Sequence, residues 1–233
     1  MTRVTPEHPV FTGNGTLALA SVLAPGDILP ENNRILSIRK GQGSLQVYNL
    51  LTEWPHTYFA EGLLVHNKGC FLPQTPVRMA DGSEVMISNL RPGDSVTAFN
   101  PSGGMTTARI NKILTAQAPG YFEIETEEGT HVEATAEHPF YLGNGRFKLV
   151  ESLHVGDQVE TFHEAMKLEK IKSVLFVPGP QVVYNLQTDF PNTFIASGFA
   201  VHNKGGGSFG GGGGAHYYYY RGAPLQQLQR HSR

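Results

Sequence analysis

Cys70 is the only cysteine among 233 residues, and it directly follows Lys68-Gly69. An isolated cysteine is often just a small buried apolar side chain, so its position has to carry any other reading. A thiolate here would attack the carbonyl of Gly69 and exchange the Gly69-Cys70 amide for a thioester, a step favoured by proximity within one chain. Glycine leaves that carbonyl open and tolerates strained backbone. At neutral pH a thiol is only a few per cent thiolate, and the displaced amine needs a proton, so a histidine and an oxyanion donor are required nearby. Thr135-Ala136-Glu137-His138 contains both residue types. On an extended segment Thr135 and His138 point to opposite faces, and a turn at His138-Pro139 is expected to bring them together.

The other boundary carries a different reaction. The side-chain amide nitrogen of Asn203 can attack its own backbone carbonyl, close a succinimide and break the bond to Lys204. Spontaneous closure is slow, and His202 is the adjacent residue able to protonate the leaving amine or polarise the carbonyl. Gly69 and Lys204 are therefore the scissile neighbours.

Val-His-Asn-Lys-Gly occurs twice, at Val65 to Gly69 and at Val201 to Gly205. Repeats reorganise everything else and are sought first. Glu7-His8-Pro9 recurs as Glu137-His138-Pro139, which defines one register of a repeat. Val47-Tyr48-Asn49-Leu50 recurs as Val183-Tyr184-Asn185-Leu186, which defines a second. A six-residue insertion separates the two registers, so residues 5 to 67 duplicate 135 to 203. A shorter pattern, Gly-x7-Leu-x2-Gly-Asp, ends at Gly26-Asp27, Gly93-Asp94 and Gly156-Asp157. Alternating apolar residues follow each copy, as in Ser95 to Phe99, and a second β-like run comes next, such as Ile110 to Leu114 or Ile171 to Phe176. Turn signals, Pro119-Gly120 and Pro178-Gly179-Pro180 among them, divide short strands, and at most a turn of helix precedes each Gly-Asp. An all-β chain is expected.

The expected organisation is a half-unit over 1–69, truncated at its front; a complete domain over 70–203; and a tail over 204–233. Gly205 onward is too rich in glycine to recover its ordering entropy, so the tail, with four tyrosines from Tyr217, reads as disordered. Pairing of 70–130 with 135–203 is expected over pairing with 5–67. The leftover half would be partly ordered with exposed strand edges.

The net charge of −2 gives no sign of a nucleic-acid partner, and no stretch is long and apolar enough to span a bilayer. No cofactor is implied. No metal site is implied either, because His131 with His138 and His202 with His216 are pairs lacking further ligands.

These motifs together resemble the Hint superfamily, which holds inteins, hedgehog autoprocessing domains and bacterial intein-like domains. Cys70 to Val77 resembles its opening motif, Thr135 to His138 its Thr-x-x-His, and Val183 to Leu186 with Asn192-Thr193-Phe194 and Val201-His202-Asn203 its closing motifs. The resemblance implies a horseshoe-like all-β fold with pseudo-twofold duplication and single-turnover self-cleavage, the substrate being the flanking polypeptide. It implies secondary roles for Asn185 and Asn192, and for Thr5, His8, His56, His66 and Asn67 in the half-unit. Splicing inteins carry Ser, Thr or Cys after the final Asn. With Lys204 there, the thioester has no acceptor, and cleavage by water or another external nucleophile is implied instead. Asn192 stands where such domains often carry His, the place taken by His56 in the half-unit, and Asn185 where many inteins carry Asp. The alternative is a noncatalytic β module that retains these residues by descent.

Overall fold

The computed structural model describes residues 2–6, 8–42, 57–60, 63–66, 69–203 and 216–224. His56, Asn67 and Lys204 lie outside them, and of His66 only the backbone is described. The chain forms two compact units, Met1–Asn67 with Gly207–Arg233, and Lys68–Gly206.

The first unit contains β1 (Thr2–Val4), β2 (Pro9–Phe11), β3 (Leu17–Leu19), β4 (Ile28–Leu29), β5 (Asn33–Gln42), β6 (Thr57–Ala60) and β7 (Leu63–His66). The strand β2 pairs with β3 and β7, β6 pairs with β7, and β4 pairs with β5. Val10, Ala18, Ala20, Leu23, Leu29 and Ile35 form its small apolar core.

The second unit contains β8 (Pro76–Arg78), β9 (Glu84–Met86), β10 (Ser95–Phe99), β11 (Met105–Thr126), β12 (His131–Ala134), β13 (Pro139–Gly143), β14 (Arg146–Leu149), β15 (Gln158–Phe162), β16 (Met166–Thr188), β17 (Thr193–Ala196) and β18 (Phe199–His202). The long strands β11 and β16 run antiparallel along most of their length and join residues 70–134 to 135–203 in one unit. Phe71, Phe140, Phe147, Phe194 and Phe199 are fully buried in it. The expected runs at Ile110 and Ile171 are therefore parts of much longer strands. Pro119-Gly120 and Pro178-Gly179-Pro180 do not end strands as expected, because they face each other at a register shift between Ala118/Gln181 and Gly120/Pro178. A bulge absorbs a proline and an extra residue without breaking the ladder.

The threefold pattern is visible in the hydrogen bonds. Ile35, Ile110 and Ile171 donate to the carbonyls of Asp27, Asp94 and Asp157, while Gly26, Gly93 and Gly156 donate back to the same isoleucines. Each aspartate carboxylate also accepts an amide three residues before it, from Ala24, Arg91 and His154. The single turns expected before these sites are 3-10 turns at Ala20–Val22, Ile87–Asn89 and Val150–Ser152. Val85 and Met86, just ahead of the second of these turns, belong to β9. Gly26 and Asp27 match Gly156 and Asp157 in the first register of the repeat, while Ile35 already matches Ile171 in the second, so the insertion lies in the β15–β16 hairpin.

The tyrosine run departs from its expected disorder. His216–Pro224 forms β19, which pairs with β5 on one side and β1 on the other within the first unit. Aromatic residues favour strands, and pairing along both edges supplies the ordering energy that glycine-rich composition alone would not.

His8 gives the first unit a pH dependence. Burial lowers its pKa from 6.5 to about 4. Between these values the unfolded chain binds more protons than the folded one, so stability rises with pH through that window and is fully lost to this term only below about 4. The loss amounts to at most about 3 kcal/mol. Thermal unfolding of the full chain between pH 7 and 4 should show the first unit destabilised on acidification, and His8→Gln should flatten that response.

Candidate functional site

Thr135 and His138 meet through a turn inside the motif and not at His138-Pro139. The His138 amide donates to the Thr135 carbonyl at 3.1 Å, closing a four-residue turn at the end of β12. The carbonyls of His138 and Ala136 then accept the amides of Val150 and Glu151, which pins the turn to the 3-10 segment. Thr5 to His8 repeats this arrangement: His8 donates to Thr5, while Ala20 and Ser21 donate to His8 and Pro6.

Against this turn lies the Gly69-Cys70 junction. The Cys70 amide, the nitrogen of the candidate scissile bond, donates to Thr135 Oγ1 at 2.9 Å, and the Thr135 amide donates to the Cys70 carbonyl at 2.9 Å. The Thr135 hydroxyl thus holds the leaving nitrogen, whereas the sequence suggested a donor to the carbonyl oxygen. A Cβ placed on Gly69 would lie 2.1 Å from the His138 α-carbon, so only glycine fits this contact. Cys70 is buried among Leu72, Ala118 and Val183.

The aromatic layer beneath the junction connects it to the other boundary. Phe71 exchanges both amide hydrogen bonds with Tyr184 at 2.8 Å, adjacent to Asn185. Its ring lies 4.0 Å from the His138 ring and 5.9 Å from Phe194. Phe194 is opposite Val201 in the β17–β18 pair, and Thr193 is opposite His202. The buried His202 ring packs edge-on against Phe147 at 5.2 Å. His66 occupies the equivalent place opposite Thr57 in the first unit.

Asn203 is buried and held at both ends. Its amide donates to the carbonyl of Asn192 at 2.8 Å, and its side-chain Nδ2 donates to Thr188 Oγ1 at 2.7 Å. Asn192, at φ 62, thus reaches Asn203 through its backbone. Thr188 Oγ1 in turn donates to the Asp189 carbonyl at 3.0 Å, leaving its lone pairs to accept from Asn203. Asn203 Oδ1 has no hydrogen-bond partner among the described residues. Asn185, also buried, spends its Oδ1 on the amide of Leu186 at 2.7 Å.

Thr188 escaped the sequence reading. The signal available was Thr52, its counterpart in the upstream copy of the repeat. A threonine shared by both copies near the end of a closing motif looks like any β-strand residue until its partner is known.

Among the described residues no group of three or more His, Cys, Asp or Glu is placed to hold a metal ion, and no helix is long and apolar enough to cross a membrane.

The all-β domain sets the buried Cys70 beside the Thr135–His138 turn and ends on the buried His202-Asn203, the layout of an intein-like domain. Residues 59–146 match the family model of the Hint module, and the chain carries a Hint superfamily domain of intein-like type. The matched stretch spans the junction at Cys70 and the Thr-x-x-His turn. Among solved structures the fold is similar to a DnaB intein from Synechocystis sp. PCC 6803, at 20% identity and a TM-score of 0.55, covering 59% of this chain and 99% of that one. It is similar also to a bacterial intein-like domain from Clostridium thermocellum, at 24% identity and a TM-score of 0.52, covering 57% and 98%. The TvoVMA intein matches at 21% identity and a TM-score of 0.52, covering 57% and 96%. No curated protein sequence matches the chain. A Hint fold of this type supports self-processing in general.

Proposed function

We propose that the chain cleaves itself at Gly69-Cys70 and after Asn203. The observation that carries this reading is the bond from the Cys70 amide to Thr135 Oγ1 with Gly69 pressed on His138, which joins the candidate scissile bond to the motif that would serve it. Cys70 Sγ gives up its proton, which His138 takes up, and adds to the Gly69 carbonyl carbon. The carbon-nitrogen bond breaks, and the freed Cys70 amine takes a proton, with His138 as the donor. Thr135, already bonded to that nitrogen, orients the peptide so that the amine leaves along a fixed line. Water or another external nucleophile then opens the thioester and frees residues 1–69.

At the second boundary Asn203 Nδ2 adds to the Asn203 carbonyl carbon, the bond to Lys204 breaks, and the tail amine departs with a proton supplied through His202. The amide nitrogen loses a proton as it attacks, and His202 takes that proton and passes it to the departing tail amine, so the step balances. Thr188 Oγ1, accepting a hydrogen of the same nitrogen, orients it for the attack. Lys204 has no hydroxyl or thiol to receive the thioester, so the products are separate fragments.

The full chain, followed by intact mass with and without dithiothreitol, tests the reading. Thiol-accelerated release of 1–69 and slower release of 204–233 are expected. A chain that stays whole in both conditions would mean a noncatalytic module.

Thr188→Val keeps the shape and removes the acceptor. Tail release should slow about tenfold, the worth of one hydrogen bond to a reacting group, while thiol-dependent release of 1–69 is unchanged. Thr188→Ser should restore the rate, which a purely steric role would not explain.

A further inference from the structure

The strand β19 takes up in the first unit the place that β11 holds in the second. In the second unit β16 receives Gly120 to Thr126 with Pro178 opposite Gly120, Phe176 opposite Phe122, Ile124 opposite Val174 and Thr126 opposite Ile171. In the register of the repeat that matches Val47 to Val183, those positions of β16 are Gln42, Lys40, Ile38 and Ile35 of β5. Their partners on β19 are His216, Tyr218, Tyr220 and Gly222. The irregularities also coincide: the ladder shifts between Glu125 and Thr126 in one unit and between Arg221 and Gly222 in the other, in each case passing over the equivalent residues Lys172 and Leu36. The outer flank matches as well. Val132, Glu133 and Ala134 of β12 face Ile124, Glu123 and Phe122, and their counterparts Thr2, Arg3 and Val4 of β1 face Tyr220, Tyr219 and Tyr218.

The edges of β5 and β1 that correspond to those filled by β11 in the second unit are filled here by β19, and a strand edge binds any strand that fits. The tail fits residue for residue, and it places Tyr217 and Tyr218 where the second unit has Tyr121 and Phe122.

We infer that the segment 216–224 is a built-in donor strand that completes the upstream half-unit, so that the two polypeptides flanking the self-processing domain are bound to each other by β-pairing independently of the domain between them. Given the cleavage proposed above, the products 1–69 and 204–233 stay together as a noncovalent complex after both cuts. Processing would then excise the middle of the chain without separating its ends.

Hydrogen exchange on the full chain tests the pairing without relying on cleavage, in a Cys70→Ala, Asn203→Ala background that keeps the chain whole. Amides in 2–4 and 33–42 should be protected, and Tyr218→Pro with Tyr220→Pro, which removes two donors from the centre of the strand, should speed their exchange at least about tenfold while 105–126 is unchanged. Equal exchange at 33–42 in both proteins would overturn the inference. If the prolines also strip protection from 105–126, Tyr218→Gly with Tyr220→Gly carries the same expectation. Size measurement in solution distinguishes the donor: a dimer that the tyrosine substitutions dissociate would mean that the strand comes from a second copy, and would overturn the intramolecular form. In the unmutated chain after cleavage, co-elution of 204–233 with 1–69 is expected, and a freely separating tail would contradict it. Absence of cleavage would refute the proposed function alone, leaving the exchange result to decide the pairing.

Discussion

Cys70→Ala is expected to abolish release of residues 1–69, with or without added thiol, while release of the tail after Asn203 continues. Truncation removes the only cysteine sulfur in the chain, and with it the proposed attacking atom. An intramolecular nucleophile held in the right geometry acts at an effective concentration on the order of 10⁵ M or more, so the rate at Gly69-Cys70 should fall by at least about that factor. The fold should survive, because Cys70 contributes only a small side chain to an apolar cluster with Leu72, Ala118 and Val183. Intact mass over time, with circular dichroism as the check on folding, makes the measurement. Persisting cleavage at Gly69 in the variant would show that the thiol is not the nucleophile.

Asn203→Ala carries the second large effect. The alanine has no nitrogen to close on the backbone carbonyl, so the tail should remain attached, and no succinimide, lighter than the hydrolysed product by the mass of a water, should form. Its packing cost is modest compared with the chemistry lost: Nδ2 gives up one hydrogen bond to Thr188, while Oδ1 had no partner among the described residues to lose. Release of 1–69 should proceed as before, since the thioester step involves none of the atoms removed. Mass spectrometry of the fragment ending at Asn203 and of the released 204–233 separates the outcomes. Tail release at the original rate from Asn203→Ala would locate the break elsewhere.

The two boundaries make separate sets of contacts, so their reactions are separable. Thr135 and His138 touch the Cys70 junction, whereas Thr188 and Asn192 hold Asn203. What the two share is the Phe71 ring, placed against both His138 and Phe194. A substitution there should disturb both reactions through packing.

Much of this arrangement is legible in the chain. The all-β character follows from alternating apolar runs and turn dipeptides, and the triplicated Gly-Asp becomes three copies of one hydrogen-bonded loop. Cys70, the Thr-x-x-His and the terminal His-Asn announce themselves by residue type and spacing, because the chemistry they could do needs those groups. Local signals misled where tertiary pairing overrides them. Pro119-Gly120 and Pro178-Gly179-Pro180 look like strand ends, yet they sit opposite each other in the continuous β11–β16 ladder, which accommodates both as one bulge. The tyrosine run looks like low-complexity tail, yet it pairs between β5 and β1.

The sequence alone determined that a thiol and an asparagine bracket a duplicated β domain, since repeats and reactive residue types are written in one dimension. Only the tertiary structure decided which atoms they meet: that the Thr135 hydroxyl accepts the Cys70 amide, that Thr188 holds the Asn203 nitrogen, and that the tyrosine run pairs between β5 and β1. Those contacts join residues far apart in the chain, and such pairings depend on sheet register, which is set by the whole burial pattern and not by any local run.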